Sequence, residues 1–268
     1  MNPTGLSYVV LCGMALAASG LTLFSGFGLG TILTPVFAIF FPIEVAIAST
    51  AMVHFANNLF KLAMLWRKAD LSIVTRFAAP GAFTAVLGAM LLKYLSELPV
   101  LAIYVLGGKT LEIEPVKVVI GGLIGVFALF ELIPSLEGRI RFDRKHLSVA
   151  GALSGFFGGL SGNQGALRSA ALVRCGLDKA VFIATGVVCA VVVDAFRLVG
   201  YGATFYTKNF SVVREAGGAG LVGATTVAAF VGAFAGARLV KKVTMETVQW
   251  IVGVSLLLLA LGLTVGLI

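Results

Sequence analysis

The chain has 268 residues, of which 59% are hydrophobic and only 12% charged, and its mean hydropathy is +1.04. Too few polar side chains remain to coat a globule in water, which excludes a soluble enzyme or binding domain and predicts a polytopic membrane protein. The formal net charge of +8 does not point to nucleic acid, because the basic residues fall in short loops between apolar runs and no segment is large enough to present a basic face.

No Lys or Arg precedes Lys61, so the first apolar run, about Leu6 to Phe24, lacks the basic flank of a cleavable signal and reads as a retained helix. It breaks at Ser25-Gly26-Phe27-Gly28, and a shorter run follows from Leu29 to Phe41, stopping at Pro42. Short, glycine-interrupted apolar segments are the pattern of a discontinuous helix whose freed backbone groups line a cavity. The sequence leaves open whether the hairpin re-enters or spans twice. A third helix extends from Glu44 to about Trp66 and is closed by Arg67, Lys68 and Asp70; a fourth, Ser72 to Tyr94, contains Pro80 as an expected kink. Between Ser96 and Pro115, strand-like residues flank Gly107-Gly108, which predicts a small β-hairpin outside the bilayer. Helix five, Val116 to Ile133, carries Gly121 and Gly125 at small-xxx-small spacing.

The second half repeats this plan after a charged connector, residues 136–146. Helix six ends at a break over Ser161 to Gln164, helix seven runs to Cys175, helix eight from Asp178 to about Val199, helix nine from Val212 to Val240 with Gly232 and Gly236, and helix ten from Thr247. An offset of 136 superposes Ser25-Gly26 on Ser161-Gly162, Ser49 on Thr185, Asn58 on Asp194 and Lys61 on Arg197. The expected fold is therefore an all-α membrane protein of two repeats, residues 1–135 and 147–268, each of about five helical segments. Basic residues cluster after helices three, five and nine, which puts those loops in the cytoplasm and both termini outside. With odd parity the repeats have opposite topology, and their broken helices meet near the midplane, as in secondary transporters.

Each break starts a helix inside the membrane, helix two near Gly28 and helix seven near Gln164, where unpaired N–H groups and the positive dipole end favour an anion. Ser25, Gly26, Gly28 and Thr31 in the first half, and Ser161, Gly162, Asn163 and Gln164 in the second, are candidate binding residues. The plainer alternative is that these glycines serve only close helix crossing. Helix three places Thr50, His54, Asn57 and Lys61 on one face, a polar stripe that must look toward protein or water. Asn58 can orient Lys61, which can otherwise snorkel to the interface. In helix eight, Thr185 repeats Ser49, and Asp194 stands three residues before Arg197 as an intrahelical ion pair. Arg168, one turn into helix seven, offers a guanidinium fork for an oxyanion, or else ties backbone carbonyls or Asp194. Cys12, Cys175 and Cys189 form no C-x-x-C, so neither a metal nor another cofactor is expected.

The first break with Pro35, Ala46 to Thr50 (AIAST), GFFGGLSGNQGALRSA, Phe182 to Gly186 (FIATG) and Asp194 to Leu198 (DAFRL) resemble the TauE/SafE sulfite-exporter family, also called the toluene sulfonate uptake permeases. The likeness spans nearly the whole chain, and its second-half motif is long and specific. It implies a bacterial inner-membrane carrier for sulfite or an organosulfonate. The residues alone reach an oxyanion; sulfur comes from the resemblance. The first half departs from the second, with SGFGLG against SGNQGA and Ile32 in the place of Arg168, so a side-chain site is weighted to the second half. Expected partners are a small anion, the bilayer and a coupling proton relayed by His54 or Asp194, and the small-residue faces of helices five and nine would permit a homodimer. Two rivals stay open. One is a passive anion channel. The other is an intramembrane serine hydrolase using Ser161 of the G-x-S-G run with His54.

Overall fold

The computed structural model describes residues 5–21, 29–133, 144–205, 218–239 and 245–267. They form ten α-helices and one hairpin: α1 (Gly5–Leu21), α2 (Leu29–Ala38), α3 (Ile43–Leu65), α4 (Leu71–Ser96), β1 (Ala102–Leu106), β2 (Lys109–Ile113), α5 (Pro115–Leu132), α6 (Leu147–Ser161), α7 (Gly165–Val173), α8 (Lys179–Phe205), α9 (Gly218–Leu239) and α10 (Met245–Thr264). Ser25, Gly26 and Gly28 lie outside the described residues.

Local chemistry sets the element ends. Asp70 caps α4, its carboxylate accepting the Ser72 and Ile73 N–H groups at 3.0 and 3.1 Å. Pro115 occupies the first turn of α5, where no N–H is needed. The hairpin turns on Gly107 and Gly108, with φ of 59° and 79°, so the strands pair in antiparallel register from Leu106 with Lys109 to Ala102 with Ile113. α4 runs through Pro80 as one element of 26 residues.

Among the described residues, Leu71–Ser96, Lys179–Ala203 and Gly218–Gly236 are long and apolar enough to cross a membrane. α3 has 23 residues, long enough at 1.5 Å per residue to cross a core of about 30 Å, but its polar stripe lowers its apolarity. α2 and α7 have only 10 and 9 residues and cover roughly half that thickness. These are half-helices.

Packing follows the small residues. α4 lies along α6, where a methyl group on Gly151, Gly155 or Gly159 would collide with the carbonyls of Phe77, Gly81 and Ala85 in turn. That spacing of four on both helices brings the backbones into contact. α9 meets α1 through Gly232 and Gly236 against Leu16 and Gly20, and α5 meets α10 through Gly121 against Ala260. The small-xxx-small pairs Gly121/Gly125 of α5 and Gly232/Gly236 of α9 are thus used for contacts within the chain. α3 packs on α8, α2 on α3, and α7 on α8. One core cluster joins Leu11, Leu33, Phe37, Ile47, Ile120, Ile124, Leu256 and Leu263; a smaller one joins Ile73, Phe77, Leu147 and Leu172.

Candidate functional site

The α6–α7 break is shaped by Gly162, which caps α6 in the left-handed region at φ 82° while its N–H bonds to the Gly158 carbonyl at 3.0 Å. A side chain there would be strained in backbone and would also meet Thr34 Oγ1 at 3.3 Å. Gln164 stands at the start of α7 and makes no side-chain cap, which leaves the first-turn N–H groups open. α2 begins against this same break: a Cβ at Gly30 would lie 3.5 Å from the Gly162 carbonyl oxygen, 3.7 Å from His54 Cδ2 and 3.9 Å from Thr50 Cγ2. The first turn of α2, the middle of α3 and the second break therefore share one location.

Asp194 is the hub of the cluster. Its Oδ2 lies 2.6 Å from His54 Nδ1, its Oδ1 accepts from Gln164 Nε2 at 2.6 Å, and Arg197 Nη2 stands 2.7 Å from Oδ1. The last is a charge contact without hydrogen-bond alignment, so Arg197 Nη2 and Nε retain unused donor capacity. One carboxylate thus ties α3, the α6–α7 break and α8 together. It is also the only acidic side chain that is fully buried among the described residues.

α8 braces the break along a single face. Arg197 Nη1 donates to the Gly158 carbonyl at 3.1 Å, and Tyr201 Oη donates to the Gly159 carbonyl at 2.6 Å. Cations and donors at the carbonyl end of a helix offset its dipole and its orphan acceptors. From within α6, Ser154 Oγ donates to the Gln164 carbonyl at 2.8 Å.

Two further cations, Arg168 and Lys61, are buried in the interior. Arg168 is 3% exposed, and a Cβ at Gly186 would lie 3.9 Å from its Nε. Lys61 is 6% exposed, and its charge is felt by, and feels, that of Arg168. No carboxylate pairs with Lys61 among the described residues. Buried cations are costly without a counter-charge.

The structure brings Thr50, His54, Asn57, Asn58, Lys61, Ser161, Gly162, Asn163, Gln164, Arg168, Asp194 and Arg197 into the interior, and the ion pair expected inside α8 is formed. Several expectations change in detail. Asn58 serves His54 rather than Lys61, its Nδ2 donating to the His54 carbonyl at 2.9 Å. Asn57 accepts from Ser19 of α1 at 3.2 Å. Thr185 accepts the Asp70 N–H at 3.0 Å, which ties α8 to the α3–α4 turn. Ser161 donates to Phe157 at 3.0 Å, while the His54 ring is turned to Asp194 and Asn58, so the nucleophile–base contact of a serine hydrolase is not made between Ser161 and His54. Thr31 is half-buried at the α2 start. Thr50 Oγ1 and Asn163 Oδ1 are buried without a hydrogen-bond partner among the described residues.

Sequence reasoning passed over Tyr201, Ser154 and Gly30. Tyr201 was findable, since it continues the Asp194–Arg197 face of α8 at helical spacing. Ser154 carried no signal beyond its type.

The sequence model of the family described as sulfite exporter TauE/SafE matches residues 11–263, nearly the full chain. No curated protein and no solved structure gives a significant match. On that family match, and with apolar helices of spanning length around a buried polar centre, the chain belongs to the TauE/SafE sulfite exporter family of multi-pass membrane transporters.

Proposed function

We propose that the protein is a secondary transporter of a small sulfur oxyanion, sulfite or an organosulfonate, bound where the first turns of α2 and α7 approach the polar face of α3. The observation that carries this reading is Lys61, buried with no acidic partner among the described residues and electrostatically coupled to Arg168. A bound anion is the missing counter-charge. The open N–H groups at the start of α7 and the idle Thr50 hydroxyl add donors, and glycine at position 30 lets the ligand approach the backbone. Ser161, Asn163, Gln164 and Arg197 position the break.

An inverted repeat is supported by the way elements pair. Under the 136-residue offset, α1 against α9 exchanges with α6 against α4, while α3–α8 and α5–α10 exchange with themselves. Alternating access by rocking of the two repeats about the half-helix tips follows from that arrangement. The family resemblance implies a bacterial inner membrane, and the placement of basic residues favours both termini outside.

The test is counterflow of labelled sulfite into proteoliposomes preloaded with sulfite, sulfoacetate, sulfate or chloride. Trans-acceleration by sulfur oxyanions and not by chloride is expected. Flux with no trans-acceleration would make the protein a channel and overturn the carrier mechanism.

A further inference from the structure

We propose that His54 binds the coupling proton, and that it does so only together with the anion, making transport a symport of the two. The inference rests on the anion site proposed above and adds to it a second ligand. It starts from the contacts of the imidazole. Asp194 holds Gln164 and Arg197 on Oδ1, a setting that suits a carboxylate acting as acceptor only. His54 Nδ1, 2.6 Å from Oδ2, must then carry its proton toward Asp194. In the neutral ring this tautomer leaves Nε2 with a lone pair.

The Cδ2 edge of the ring faces the first turn of α2, since Cδ2 would lie 3.7 Å from a Cβ at Gly30, and Nε2, bonded next to it through the ring, has Asn58 Nδ2 3.3 Å away. An anion lodged there meets a lone pair when His54 is neutral and an N–H donor when it is charged. The first arrangement is repulsive and the second is a charge-assisted hydrogen bond. Anion binding therefore favours protonation of Nε2, and protonation favours anion binding, by the same factor. No covalent change is involved: the imidazole takes one proton from the aqueous side that is open and releases it, with the anion, to the other.

The surroundings suit a group that must exist in both forms. Asn58 Nδ2, which donates to the His54 carbonyl at 2.9 Å, also lies 3.1 Å from Nδ1 and 3.3 Å from Nε2, so it is a neutral neighbour of the ring in either form. From α8 the ring faces Asp194 and Arg197, and from α7 it feels Arg168. On α3 itself its polar neighbours are Thr50 and Asn58, with Lys61 two turns on. α2 presents Gly30, and α9 meets α3 through Phe230 stacked on Phe60 at 5.3 Å, so neither adds a titratable group at these contacts. Asp194 offsets the imidazolium through Nδ1, which lets the Nε2 charge be spent on the substrate.

The experiment uses proteoliposomes loaded with a lumenal pH dye, with the membrane potential clamped, and an inward gradient of labelled ethanesulfonate or sulfate. Neither probe exchanges a proton near neutral pH, so any lumenal acidification is carried by the protein. Acidification alongside anion entry is expected for the wild type. In His54→Gln the proposal expects anion entry to slow and the acidification per anion entering to be lost. Anion entry into wild-type vesicles with no pH change would overturn the coupling and leave the transporter reading standing; this arm needs no variant to fold. Acidification by His54→Gln equal to the wild type would also overturn it, by moving the proton site elsewhere. Entry of neither anion would overturn the oxyanion reading, and the coupling with it.

Discussion

Replacing Asp194 with Asn tests the hub of the site, because the amide keeps the shape and removes the charge. Two losses compete in size. The asparagine gives up one of the acceptor contacts now made to His54 and Gln164, and an interhelical hydrogen bond in a bilayer averages only about 0.6 kcal/mol. Arg197, which is 1% exposed, loses the counter-charge 2.7 Å away; removing one partner of a buried pair costs about 3–5 kcal/mol. The charge effect dominates by about five- to eightfold. At roughly 2–4 °C of Tm per kcal/mol for a chain near this size, Asp194→Asn should melt about 6–20 °C lower in detergent, read from tryptophan fluorescence. The double variant Asp194→Asn/Arg197→Met should recover much of that loss, because it leaves no uncompensated ion. A single variant with the wild-type Tm, or a double variant whose losses simply add, would refute the account of Asp194 as the counter-charge.

Four further outcomes follow from the geometry. Arg168→Ala should abolish the rise in Tm that sulfite gives the wild type while leaving the protein folded and monodisperse; wild-type stabilisation by sulfite would reduce Arg168 to a structural tie. Lys61→Met should lower the initial rate of counterflow, and because Lys61 is buried an unchanged rate would show that its charge is not used. Gly162→Ala forces a side chain to φ 82° at a cost of about 1–2 kcal/mol, and Gly162→Asn should cost less, since asparagine tolerates that region; equal Tm values for glycine and alanine would remove the strained turn from the argument. Tyr201→Phe deletes the donor to Gly159 and should cost about 1 kcal/mol in the same melt; a larger loss of counterflow than of stability would identify the brace as a positioning device.

How much was legible in the sequence depended on whether a signal was local. The half-helices were readable because glycine and polar residues interrupt apolar runs at Ser161 to Gln164, and the structure ends α6 at Ser161 and restarts at Gly165. The hairpin was readable from Gly107-Gly108, whose positive φ values glycine takes without strain. The Asp194–Arg197 pair was readable because three residues on a helix is a contact distance. What failed was long-range pairing. Asn58 follows His54 by one turn as well as preceding Lys61 by three residues, and spacing on α3 alone does not choose between them. His54 and Asp194 are 140 residues apart, and no periodicity in one helix announces a partner in another. The glycines of α5 and α9 illustrate the same limit: small-xxx-small spacing shows that a backbone comes close, while the identity of the partner, α10 and α1 here, is a property of the folded chain.

On the carrier reading, the departure of the two halves from strict repetition bears on how leakage is avoided. Position 58 is Asn where position 194 is Asp, and Lys61 stands where the second half has Arg197. Arg197 is already engaged by Asp194 and the Gly158 carbonyl, so its charge is answered whether or not a ligand is present. Lys61 has no such answer from its own helix, because Asn58 brings no charge. An occluded state with an empty site must therefore bury the Lys61 ammonium without a counter-ion, which is costly in a dry interior. Occupancy by an anion removes that cost, and a ligand shifts a conformational equilibrium only through such a difference in interaction between states. On the transporter reading, the loaded carrier then reorients faster than the empty one, and exchange outruns net flux. On the same reading the asymmetry gives His54 its place, on the half whose cation lacks a partner on its own helix and 2.6 Å from the buried carboxylate of Asp194.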